Sequence, residues 1–117
     1  MSTITYNYNN KEEIPQGNSR QIFCAVYDSS DNLMNLTGYA ATFYAAKDKI
    51  LSDGTVLINR PSTSIDASNG AIIFDLTTTD TSLASGNYLY EIIIDNSANR
   101  YSVIQDRLSI TDSLKNI

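Results

Sequence analysis

The residue types that usually carry reactions are thin in this chain. It contains no histidine, which removes the commonest general base, the commonest metal ligand and any Ser-His or Cys-His nucleophile. Ten Asp and three Glu remain, and two carboxylates at a suitable separation can share the acid and base roles of glycoside hydrolysis. Most of the acids fall in turn-forming stretches, at Asp28, Asp31, Asp53, Asp66 and Asp80, where a side chain bonded to its own backbone and to water is the expected state. Glu91 and Asp106 lie inside strand-like runs and read as solvent-facing positions, or for Asp106 as a bulge. Asp28-Ser29-Ser30-Asp31-Asn32 offers oxygens to calcium, but nothing there fixes the spacing of the several ligands calcium requires. There is no glycine-rich phosphate loop and no zinc spacing. The chain therefore reads as a non-enzyme, with no catalytic residue, no cofactor and no metal expected.

Two residue types invite a different chemistry. The single Cys24 cannot form an internal disulfide, and its apolar neighbours from Ile22 to Tyr27 mark it as a small buried thiol. Tyrosine is in excess, with eight residues, and exposed Tyr supplies flat contact area with a hydroxyl, as glycan-binding and protein-binding faces use it. Tyr88 and Tyr90 read as core, whereas Tyr6, Tyr8, Tyr39, Tyr44 and Tyr101 are candidates for such a face.

Composition narrows the partners. A net charge of -5 over 117 residues disfavours an electrostatic hold on nucleic acid or on anionic lipid. The four Lys and four Arg are scattered. No run approaches the roughly 18 apolar residues of a membrane-spanning helix, and Met1-Ser2-Thr3 opens a polar stretch without a signal-peptide core. Synthesis in a cytoplasm, without export by a signal of its own, is the expectation.

The elements that would position these residues are strands. Gly86 to Asp95 is the longest uninterrupted strand-like run, rich in Tyr and Ile. Tyr88, two residues after Gly86 and five after Leu83, matches the tyrosine corner of Greek-key sandwiches, in which the phenol bonds upstream backbone. Ile4 to Asn10 alternates as an edge strand, Lys11-Glu12-Glu13 reads as a solvated loop, and Pro15 to Asn18 as a turn. Ser19 to Tyr27 is apolar on both faces, with Ile22, Cys24 and Val26 against Phe23, Ala25 and Tyr27. It should be central and covered on both sides.

Further strands are expected over Tyr39 to Ala46, Thr55 to Asn59, Ala71 to Leu76 and Tyr101 to Ile110. Lys47 to Gly54 reads as a loop, Ile65-Asp66-Ala67 as a brief bridge and Ser68-Asn69-Gly70 as a tight turn. Thr81 to Ala84 suits one helical turn capped by Asp80, and Gln105-Asp106-Arg107 a bulge in the last strand. Seven to eight short strands without an amphipathic helix indicate an antiparallel sandwich in one domain spanning 1–117, with its core over about 16–110 and a polar tail over 111–117; a small barrel is the alternative. Leu89 and Ile93 occupy the outer side of the Gly86 to Asp95 strand, so that face is expected to be covered, by the termini or by a neighbouring subunit.

The order of signals resembles a family. Gly17 and Ser19 before the first long strand, Leu36-Thr37-Gly38, Asn69-Gly70 followed by Ile72 and Phe74, then Leu83 and Gly86-Asn87-Tyr88-Leu89-Tyr90-Glu91-Ile92 look like the N-terminal domain of phage baseplate upper proteins. Related immunoglobulin-like modules occur in other phage tail and head proteins. The similarity spans about Gln16 to Ile110, and the family often has Gly where this chain has Asp106. The resemblance implies an all-β, antiparallel immunoglobulin-like β-sandwich with Greek-key connections. It also implies a stand-alone structural or adaptor protein of a virion, made in the host cytoplasm and present as a homo-oligomer or in multiple copies. Its partners would be other virion proteins at the baseplate, tail, neck or head. Tyr39, Tyr44, Leu89, Ile93 and Tyr101 are the candidate interface residues. A carbohydrate-binding sandwich that reads a glycan through its Tyr residues is the alternative.

Overall fold

A computed structural model describes residues 3–5, 12–28, 30–47 and 56–112. Among them nine strands run in chain order: β1 (Thr3–Thr5), β2 (Glu12–Pro15), β3 (Arg20–Asp28), β4 (Ala40–Ala46), β5 (Val56–Pro61), β6 (Ser64–Asp66), β7 (Ala71–Leu76), β8 (Gly86–Asp95) and β9 (Arg100–Thr111). They form a four-stranded sheet in the order β1-β3-β7-β6 and a five-stranded sheet in the order β2-β9-β8-β4-β5. The pairings are antiparallel except β2 with β9, which run parallel. Two sheets joined by crossing connections make an immunoglobulin-like β-sandwich. Most of the expected first strand (Tyr6, Tyr8), the loop after Lys47 and the tail from Ser113 lie outside the described residues.

Alternation builds the core. Ile22, Cys24 and Val26 of β3, Ile72, Phe74 and Leu76 of β7, Ala41, Phe43 and Ala45 of β4, and Tyr88, Tyr90, Ile92 and Ile94 of β8 all point inward and are buried. Phe43 links the layers, with ring centroids 6.0 Å from Phe74 and 5.1 Å from Tyr90, the latter pair stacked. Cys24 is fully enclosed, and burial pushes its thiol up to about 12, so it is an inert core group.

The corner forms as expected. The Tyr88 hydroxyl donates to the Ala84 carbonyl at 2.5 Å, and the Lys47 ammonium lies 4.9 Å from the ring centroid. β8 is the middle strand of its sheet.

Several expectations need correction. Glu12–Pro15 is a strand rather than loop and turn, because Ile14 pairs with Ile110 and is buried. The bulge in β9 falls at Val103, not at Gln105-Asp106-Arg107. Ile92 pairs with Ile104 and Ile93 with Ser102, which leaves Val103 over, whereas Gln105, Asp106 and Arg107 pair in step with Glu91, Tyr90 and Leu89. That register puts half-buried Asp106 on the inward side with Tyr90 rather than facing solvent. β5 continues through Arg60 and Pro61, past the expected break. No helix forms over Thr81 to Ala84. Instead the Asp80 carboxylate accepts from the Thr77 N–H at 2.9 Å and takes Arg60 in a two-pronged ion pair, Nε at 2.9 Å and Nη2 at 3.2 Å. Thr81 is fully buried there, its hydroxyl donating to the Asn18 carbonyl at 2.7 Å.

Candidate interaction surface

Directly opposed residues of antiparallel strands share a face, so the register lays out both outer surfaces. On the five-stranded sheet one row runs Val56, Ala46, Leu89, Arg107, the next Asn59, Tyr44, Glu91, Gln105, and a third Pro61, Thr42, Ile93, Ser102. Leu89 is 43% exposed, and Val56 and Leu57 are exposed too. Glu91 is occupied, its Oε2 accepting from Gln105 Nε2 at 2.6 Å. Arg107 has no acid in its own row.

On the four-stranded sheet the rows are Gln21 with Asp75; Phe23, Ile73 and Ser64; then Ala25, Ala71 and Asp66. Phe23 is 57% exposed, so β3 is central but not covered on both sides as expected. Beyond Tyr27, which forms an isolated bridge to Leu33, the apolar stripe continues to that residue at 46% exposure. Asp75 accepts from Gln21 Nε2 at 3.1 Å, and Asp66 from Asn69 Nδ2 at 2.9 Å.

The expected interface residues do not gather in one place. Leu89 and Tyr44 share the outer face of the five-stranded sheet. Ile93 is on that face by register but only 6% exposed, which withdraws it from contact. Tyr39 and Tyr101 meet each other at 6.3 Å, half-buried and packed against the core. Phe23 and Arg107 were not singled out by sequence, although the two-sided apolar pattern of β3 was visible there. The turn acids behave as structural groups. Asp28 accepts from the Ser30 and Asn32 N–H groups at 2.8 and 3.0 Å. Partial burial works against the Asp80 charge, but the bonds from Arg60 and Thr77 and the guanidinium charge outweigh it and hold the carboxyl below its usual range. Among the described residues no three of His, Cys, Asp and Glu come together as a metal site would require.

No family model and no curated protein matches the sequence. Solved structures do. The chain is similar to the Lin-41 filamin domain, with TM-score 0.51 and 16% identity over 87% of this chain and 85% of that one. It is also similar to the N-terminal Ig1-2 module of the Drosophila receptor protein tyrosine phosphatase DLAR, with TM-score 0.51 and 13% identity, covering 100% of this chain and about half, 53%, of that one. At these identities the likeness is one of fold, and it places the chain among immunoglobulin-like β-sandwiches.

Proposed function

We propose that the chain is a non-enzymatic structural or adaptor module of a tailed-phage virion, working through protein contacts at its sheet faces. The observation that carries the contact role is the pair of exposed apolar patches, around Phe23 and around Leu89, on opposite outer faces of one sandwich. Sheets facing water normally carry polar residues outward, and apolar residues grouped in this way mark contact surfaces. The acids, by contrast, are spent on turns and on the Arg60–Asp80 clasp. The virion assignment is supported by the order of turn and core signals from Gly17 to Ile92. Mass spectrometry of purified particles from an infected host, with negative-stain imaging after antibody labelling, tests it. Stoichiometric presence at a fixed place is expected, and absence from particles overturns the reading.

A glycan-binding role retains one specific observation, the Tyr39–Tyr101 pair. Binding on a glycan array that is lost in Tyr39→Ala and Tyr101→Ala variants is its expected signature, and a blank array removes it.

A further inference from the structure

Resting on that contact role, we propose that copies of this chain associate face to back, the outer face of the four-stranded sheet of one copy docking on the outer face of the five-stranded sheet of the next. Each face carries the complement of the other. Around Phe23 and Ile73 the neighbouring charge is Asp75, with Asp66 one row further along, and the described residues of this face include no Lys or Arg. Around Leu89 and Val56 the charge in the row is Arg107. The remaining charges on that face are locally balanced or peripheral: Glu91 is held by Gln105, Asp95 stands opposite Arg100, and Glu13 lies on the edge strand β2.

Apolar area beside an acid on one surface therefore meets apolar area beside a base on the other. Two copies of the four-stranded face set against each other would instead bring Asp75 and Asp66 toward their own kind, which disfavours a twofold contact there. A contact between unlike faces leaves one free face of each kind at the ends of a dimer. Growth then proceeds to a ring if the rotation closes and to a filament if it does not.

Phe23→Asp blocks one face and Leu89→Asp the other, and both side chains are exposed, so each variant should melt like the parent chain. Sedimentation velocity should show the parent self-associating and each variant as a 12.9 kDa monomer. Mixed in equal amounts, the two variants should form a dimer and stop, because only one intact face of each kind remains. Asp75→Arg or Arg107→Glu alone should weaken association about tenfold, and the double exchange should restore it.

A parent chain that stays monomeric at millimolar concentration overturns the proposal. So does association disrupted by only one of the two variants, association that survives both, or a mixture that stays monomeric. A monomeric chain that is nonetheless found in particles sinks this contact and leaves the virion role standing. Face-to-back association in a protein absent from particles does the reverse.

Discussion

On β3 the outward Phe23 stands 57% exposed, whereas on β8 the outward Ile93 is only 6% exposed, although both strands carry apolar residues on both sides. The difference lies in the rows. Ile93 sits within Pro61, Thr42 and Ser102 in the middle of a five-stranded sheet, while the row of Phe23 ends two strands away at Ser64. A two-sided apolar strand can thus be closed on its second face by its own sheet or left open for a partner. The two cases look alike in one dimension.

The comparison breaks or sharpens under substitution. The largest effect belongs to the inward side of the same sheet. Phe74→Ala, at a fully buried site against Phe43, should cost about 3–5 kcal/mol in urea unfolding, whereas Phe23→Ala should stay within about 0.5 kcal/mol. Equal costs would mean that Phe23 belongs to the core and that its face is not a free surface. Gly70→Ala comes next. A Cβ there would meet the Val26 and Met34 carbonyl oxygens at 2.7 and 2.8 Å in a backbone with φ of 61°, and a loss of about 2 kcal/mol or more is expected. Tyr88→Phe removes the hydroxyl bond to Ala84 and should cost about 1 kcal/mol. An unchanged midpoint would leave the strand and discard the corner.

The smallest effect is a matter of pH. Because the Asp80 carboxyl is held below its unfolded value by Arg60 and Thr77, its contribution is present above the unfolded pKa of about 4 and lost as pH falls through the folded one. Asp80→Asn should therefore lower the melting temperature at pH 7, and the gap to the parent should shrink as the pH drops below about 4. A gap that does not change with pH would show that the carboxylate acts through shape rather than charge.

Much of this fold was legible residue by residue. Ala71 to Leu76 and Gly86 to Asp95 have the bounds that their alternation predicts, and Tyr88 bonds the backbone that a corner requires. β2 was not legible, since one apolar Ile14 among charged residues gives no period, and its partner β9 lies at the far end of the sequence. The bulge left a local sign, the consecutive buried Val103 and Ile104, but the polar Gln105-Asp106-Arg107 run drew the prediction two residues too far. Of the candidate surface, Leu89 was readable from its strand. Phe23 was not, because its openness depends on how far its row extends. Arg107 emerged only once the register set it beside Leu89.

The claim that matters most is that this chain works through two opposed sheet faces. A dilution series followed by amide NMR on the 12.9 kDa chain tests it directly. The resonances of Phe23, Ile73 and Asp75 should move together with those of Val56, Leu89 and Arg107 as concentration rises, while Cys24 and Phe74 stay fixed. Shifts confined to one face, or to neither, would contradict it.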